Sequence, residues 1–77
     1  SVYKGKVILT PDAKTVTISG SMPALNQNSV ITIGFETSGT PCTITAYVSQ
    51  ITDGTSFVVQ FSGAVPNGAK LSYIVIP

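Results

Sequence analysis

Residues 50–77, QITDGTSFVVQFSGAVPNGAKLSYIVIP, contain the two clearest strand patterns of the chain. In Ser56–Phe61 every second residue is a large apolar one, which is typical of a half-buried strand. Lys70–Ile76 has a second extended pattern, and Pro66-Asn67-Gly68 between them has the composition of a turn. With Pro66 at the first corner of that turn, the sequence predicts a closing hairpin that ends the chain.

The last strand is apolar on both faces toward its end. Leu71, Tyr73 and Val75 share one face, whereas Ser72, Ile74 and Ile76 share the other. A strand of a solitary small sandwich has one polar face, so either another part of the chain covers this strand or another subunit does. We favour a subunit, because the sequence has no helical segment to provide a cover. The residues predicted to form this oligomer interface are Ile8, Tyr73, Ile74 and Ile76.

Four earlier segments complete an antiparallel pattern. These segments are Lys4–Thr10, Thr15–Ser19, Ser29–Thr37 and Cys42–Gln50. Pro11 and Asp12 suit a type I turn, which predicts that the first two segments form a hairpin. Residues 20–28 are long enough to cross between two sheets, and Asp53-Gly54 forms a tight turn. The sequence predicts an all-β fold of about six strands and no helix, a small antiparallel sandwich.

Length and composition restrict the function. A chain of 77 residues forms one domain, and its single cysteine and lack of histidine exclude a disulfide or a zinc site within it. Oligomerisation is the remaining common route to stability for a domain this small. The net charge of +1 predicts no nucleic-acid partner, and no apolar run reaches the ~20 residues of a membrane insertion.

The C-terminal pattern resembles a known class of domains. The residues Phe57-Val58-Val59-Gln60-Phe61-Ser62-Gly63 and Tyr73-Ile74-Val75-Ile76 are similar to the end of bacteriophage tail-fibre and tailspike tip domains. Asn28–Thr32 also resembles the strand that opens the core of such tips, so the resemblance covers roughly residues 15–77. It implies a jelly-roll-like or H-type-lectin-like sandwich, often trimeric, that serves in host-surface recognition or fibre trimerisation.

The same resemblance implies that residues 1–77 are one module, the C-terminal fragment of a longer virion protein that acts outside the cell. The chain contains neither Trp nor Arg, the residues that most plainly mark a sugar site. The resemblance therefore supports the architecture more directly than it supports any ligand.

Catalytic chemistry is poorly represented. Asp12 and Asp53 lie in predicted turns, where Asp bonds its own backbone, and Glu36 is near a strand end. The common general base, histidine, is missing, and Cys42 is interpreted as a small buried apolar residue. We expect no enzyme activity, no cofactor and no metal in this chain; a catalytic domain upstream in a longer parent remains open.

The binding candidates are a tyrosine and several polar neighbours. Carbohydrate recognition needs an aromatic face beside amide or carboxylate groups. The predicted ligand-binding residues are Tyr47, Gln50, Asp53, Asn26 and Asn28. Two simpler interpretations stay open: Tyr47 at a subunit interface, and the Asn26–Asn28 amides as turn formers.

Three functions follow from these observations. The first is the tip of a phage tail fibre or tailspike, a homotrimer that attaches to bacterial surface polysaccharide. The second is a monomeric carbohydrate-binding accessory module of a secreted enzyme, and the third is a capsid-decoration protein. The mass of the protein in solution distinguishes the first from the second.

Overall fold

The computed structural model describes residues 2–39 and 41–77, which form six strands. They are β1 (Tyr3–Ile8), β2 (Thr15–Ser19), β3 (Val30–Glu36), β4 (Ala46–Thr52), β5 (Ser56–Phe61) and β6 (Lys70–Ile76). Sheet A has the order β1-β6-β3 and sheet B the order β2-β5-β4, with all pairs antiparallel. The described residues contain no helix, and hence none that is long and apolar enough to cross a membrane. The predicted six-stranded all-β sandwich is confirmed.

Both central strands come from the last third of the chain. β5 lies at the centre of sheet B and β6 at the centre of sheet A, so the predicted closing hairpin is wrong. The connection between them is residues 62–69, whereas hairpin loops have about 2–5 residues. It instead crosses the ~10 Å that separates packed sheets. The expected turn lies within this crossover, but Pro66 precedes its first corner: the Ala69 amide donates to the Pro66 carbonyl at 3.3 Å, and Gly68 has a φ of 85°.

The predicted first hairpin is also wrong, because β1 pairs with β6 and β2 pairs with β5. The turn at Pro11-Asp12 exists, with the Ala13 amide donating to the Thr10 carbonyl at 3.1 Å. Asp12 has a φ of 68°, which belongs to the second corner of a type II turn rather than type I. Because the chain must change sheets here, this turn lies in a crossover and does not join paired strands.

The two crossovers lie side by side and close one end of the sandwich. The Leu9 amide donates to the Ala69 carbonyl at 2.9 Å, and the Asp12 amide donates to the Val65 carbonyl at 2.9 Å. Leu9, Val65 and Ala69 are buried, so their backbone groups find partners in each other instead of in water. This pairing extends the core beyond the ends of the strands.

The core lies between the sheets and is supplied mostly by the inner faces of the two central strands. Its fully buried large side chains are Phe57, Leu25, Leu71, Val59, Val65 and Val75. Two aromatic pairs bridge the sheets: the ring centroids of Phe35 and Phe61 are 5.6 Å apart, and those of Phe57 and Tyr73 are also 5.6 Å apart. The second pair is edge-to-face, the favoured aromatic geometry.

The connection 20–29 crosses from sheet B to sheet A, as predicted, and covers the other end of the core. Met22 and Leu25 are buried there. The Leu25 carbonyl accepts from the Gly54 amide at 2.8 Å, which joins this connection to the β4–β5 turn. Gly54 has a φ of 69°, so the predicted Asp-Gly turn is confirmed.

The fourth strand begins later than predicted. β4 starts at Ala46, opposite Phe61, which is the last residue of its partner β5. Cys42 therefore has no partner in β5, and its side chain is exposed. The interpretation of Cys42 as a buried apolar residue is wrong, because the alternating pattern continued upstream of the point where pairing ends.

Candidate functional site

The outward residues of the two sheets are the main candidates for function, because alternation leaves one side of each sheet in solvent. We call these sides outer face A and outer face B. Both faces carry exposed residues, among them Ile74 on outer face A and Gln60 on outer face B. On each face, residues that lie opposite one another in the ladders form rows.

Outer face A has a group of exposed apolar side chains at one end. Val30 lies opposite Ile76 in the ladder, and Ile74 is the next outward residue along β6. The exposed fractions of these three side chains, which we call the apolar surface, are 58% for Val30, 45% for Ile74 and 50% for Ile76. β6 is thus a central strand whose second face the described chain leaves open.

The other two predicted interface residues lie elsewhere. Ile8 is 78% exposed but pairs with Lys70, four residues along β1 from the row that contains Ile74, a separation of about 13 Å. Tyr73 points to the inner side of sheet A, where its ring packs against Phe57 and lies over Gly5. The structure therefore brings Ile74 and Ile76 together and separates Ile8 and Tyr73 from them.

A shallow depression of about 220 Å³ adjoins the apolar surface. It lies over Gly34 and Ser72, next to Ile74. A Cβ at Gly34 would stand 2.6 Å from the Ser72 hydroxyl oxygen, so the absence of a side chain at Gly34 allows the Ser72 side chain to approach this closely. The depression lies above Gly34 and this hydroxyl.

The far end of outer face A is charged. The Lys6 ammonium donates to Glu36 Oε1 at 2.9 Å. This hydrogen bond, with the charges of Lys6 and then Lys70, lowers the pKa of Glu36 below its ordinary value. Both partners are about half exposed, so water screens the pair and its contribution to stability is small.

Outer face B has a different chemistry. Its rows are Thr15–Gln60–Tyr47, Thr17–Val58–Gln50 and Ser19–Ser56–Thr52. None of these nine residues is charged. Tyr47 is 53% exposed and lies directly opposite Gln60. We call Tyr47, Gln50 and Gln60 the polar platform.

The predicted ligand-binding residues divide into two groups. Tyr47 and Gln50 lie on the platform, whereas Asp53 is at the opposite end of β4, roughly 20 Å from Tyr47 along the strand. Asn26 and Asn28 lie in the 20–29 connection near Asp53. The five residues do not form one site.

The side chains of Asn26 and Asp53 in the second group are engaged in local structure. The Gln27 amide donates to Asp53 Oδ1 at 2.9 Å and to the Ile51 carbonyl at 2.7 Å. Asn26 Oδ1 accepts from the Asn28 backbone amide at 2.8 Å, and Asn26 Nδ2 donates to the Ala24 carbonyl at 3.0 Å. These bonds match the turn-forming interpretation of the amides.

Gln60 is the platform residue that sequence reasoning did not select. The outward position of Gln60 follows from the alternation in β5. The identity of the residue beside it on the neighbouring strand does not follow from that alternation. Only the pairing of β5 with β4 places Gln60 beside Tyr47. The available signal was the short Asp-Gly connection, which makes β4 and β5 ladder partners.

A larger cleft of about 340 Å³ opens between the edges of β1 and β2. Its lining includes Tyr3, Lys4, Ser19 and Tyr73. The Tyr3 hydroxyl accepts from the Ala24 amide at 3.1 Å, which ties β1 to the 20–29 connection. Within residues 2–39 and 41–77, no three acidic or cysteine side chains lie close enough to hold a metal ion.

No family model matches the chain, and no curated protein or solved structure matches it either. The functional conclusions therefore rest on the residues of the two outer faces.

Proposed function

We propose that this chain is an assembly and attachment module that forms a homotrimer through the apolar surface, in the manner of a phage tail-fibre or tailspike tip. One observation carries the proposal: Ile74 and Ile76 are about half exposed on a central strand, and Val30 beside them is more exposed. A chain of 77 residues with no internal disulfide gains stability when such a surface is covered.

The size of the face limits how strongly two copies hold together. The principal dimensions of the molecule are 35 × 18 × 17 Å, so one broad face has a projected area of about 35 × 18, or ~630 Å². A standard interface buries about 800 Å² on each partner. A closed trimer, in which each copy contacts two others, compensates for a small pairwise contact. We therefore expect an assembly that depends on concentration, and one that tethering in a longer parent strengthens.

Charge on the same face gives the assembly a salt dependence. Outer face A carries Lys4, Lys6 and Lys70 but only one acidic residue, Glu36. Copies that meet through this face bring like charges together, and salt screens that repulsion. The trimer should consequently become more stable as the ionic strength rises.

Sedimentation equilibrium with a paired set of variants tests this function. The wild-type mass should approach three times 8.0 kDa as concentration rises. Ile74→Asp should stay at one copy, because the contact would have to desolvate the new carboxylate, a cost that its ladder neighbour Lys4 does not offset. Thr17→Asp, the matched control on outer face B, should assemble normally. A monomeric wild type, or an Ile74→Asp variant that still assembles, would contradict the proposal.

The accessory-module function has one observation in its favour. The polar platform is complete within a single copy, because β4 and β5 supply all three of its residues. A wild-type protein that stays monomeric at every concentration and still binds a glycan would favour this second function.

A further inference from the structure

We propose that outer face B is the ligand-binding face and that its ligand is an uncharged oligosaccharide, with a sugar ring stacked on Tyr47 and its hydroxyls bonded by Gln50 and Gln60. This inference rests on the attachment half of the proposed function and gives it a site. It is independent of the apolar surface, which belongs to the other sheet.

The distribution of charge selects the class of ligand. The chain has seven charged residues, of which four lie on outer face A. The other three, Asp12, Lys14 and Asp53, lie in the connections between strands. Outer face B has none, although exposed protein surfaces are usually about a quarter to a third charged. An anionic glycan is held by Lys or Arg, whereas a neutral glycan needs only amides, hydroxyls and an aromatic ring.

The platform residues are positioned close together. Gln60 lies directly across the ladder from Tyr47, a Cβ separation of about 5 Å. Gln50 is in the next row, opposite Val58, at about 7–8 Å from Gln60. A primary amide both donates and accepts, which matches the donor and acceptor character of a sugar hydroxyl.

The polar groups of the platform are available to a ligand. The Tyr47 hydroxyl and the side-chain amides of Gln50 and Gln60 make no hydrogen bond to any residue that the structure describes. By contrast, Asn26 uses both of its side-chain polar atoms within its own connection. Of the polar residues proposed for binding, only the platform therefore combines an exposed ring with unengaged amides.

A bulge in β4 places Gln50 on this face. Val48 lies opposite Val59 and Gln50 lies opposite Val58, so Ser49 is an extra residue in the strand. Strict alternation from the outward Tyr47 would turn Gln50 inward and Ile51 outward. With the bulge, Gln50 faces solvent and Ile51 packs against the core. Bulges often adjust the direction of a side chain beside a binding site.

Calorimetric titration with two matched panels tests the inference. The first panel contains neutral oligomers of glucose, galactose, mannose and N-acetylglucosamine, and the second contains uronic-acid oligomers of the same lengths. Wild type should bind at least one neutral oligomer, with an affinity that changes less than about twofold between 0.05 and 0.5 M NaCl.

Four variants locate the binding. Tyr47→Ala should weaken it about tenfold or more, and Tyr47→Phe should stay within about threefold because the ring remains. Gln60→Ala should weaken binding about fivefold through the lost hydrogen bonds. Thr52→Ala, on the same face but two rows away, is the control and should bind like wild type.

Several results would overturn the inference. The first is the absence of binding to every neutral oligomer at concentrations up to about 10 mM. The others are binding to uronic-acid oligomers alone and unchanged binding by Tyr47→Ala. A Tyr47→Ala variant that loses trimer mass would assign the ring to a subunit interface instead. Ile74→Asp separates the two proposals: it should bind the neutral oligomer as a monomer, so loss of assembly and loss of binding are read independently.

Discussion

Outer face A and outer face B belong to sheets of the same size and arrangement, yet their chemistry differs. Outer face A holds the apolar Val30, Ile74 and Ile76 at one end, where Lys4 lies opposite Ile74, and its other charged residues lie toward the far end. Outer face B is uncharged and polar, with one exposed aromatic ring. The difference shows that the inner sides of the strands determine the sandwich, while the outer sides are free to take separate tasks.

The two central strands show this division directly. On their inner sides, β5 and β6 both bury large apolar residues in the shared core. On their outer sides, β5 presents Ser56, Val58 and Gln60, whereas β6 presents Ser72, Ile74 and Ile76. The inner sides of β5 and β6 are alike, whereas their outer sides differ. Substitutions on the inner and outer sides should therefore have very different effects.

The largest effect should come from the shared core. Leu71 is fully buried on β6, and Leu71→Ala should lower the free energy of unfolding by about 2–5 kcal/mol. Assembly through outer face A and binding on outer face B should then fail together. Ile74→Ala, three residues along the same strand, should change the free energy of unfolding by only about 0.5 kcal/mol in dilute protein. Urea unfolding at concentrations below assembly measures both; equal losses would contradict the assigned sides of β6.

A smaller effect should follow from filling the depression on outer face A. Gly34→Ala alone would crowd the Ser72 hydroxyl, so the informative variant is Gly34→Ala with Ser72→Ala. The double variant should keep its free energy of unfolding within about 1 kcal/mol of wild type. It should weaken the trimer about fivefold, because a side chain of the neighbouring copy no longer fits the altered depression. Sedimentation measures the change. Normal assembly by the double variant would show that copies do not meet over Gly34.

The smallest effect concerns pH. Lys6 lowers the pKa of Glu36 in the folded protein. The ion pair therefore stabilises the protein at pH values above the pKa that Glu36 has in the unfolded chain. That stabilisation is lost as the pH falls through the pKa of Glu36 in the folded protein. Lys6→Gln should move the pKa of Glu36 back up toward its ordinary value, as read from a carboxyl NMR titration. Neutral-glycan binding on outer face B should not change over that pH range. An unshifted Glu36 pKa in Lys6→Gln would contradict the ion pair.

The sequence was sufficient to identify the six strands and most of their faces, but not their neighbours. Alternation in Ser56–Phe61 gave the inner side of β5, and the apolar second face of β6 was apparent from Ile74 and Ile76. Alternation states which side of a strand is buried, yet it does not state which strand lies beside it. The eight-residue connection 62–69 was the overlooked signal, since it is too long for a simple hairpin.

Because alternation does not reveal which strands are neighbours, the sequence also did not reveal which candidate residues lie together in the site. Gln60 becomes a neighbour of Tyr47 only through ladder register, and Asp53 is separated from Tyr47 by the length of β4. The bulge at Ser49 is also invisible to a period of two, because an extra residue reverses the alternation after it. Residue type identified the candidates, and three-dimensional pairing decided which of them meet.

The position of both central strands at the end of the chain has a consequence for biosynthesis. β1, β2 and β3 make no ladder with one another, and each waits for β5 or β6 as its partner. While residues 56–76 are still within the ribosome, β1, β2 and β3 therefore have no ladder partner. Sheet B can form once β5 has emerged and sheet A only once β6 has, so we expect both sheets to fold after most of residues 2–76 have been synthesised.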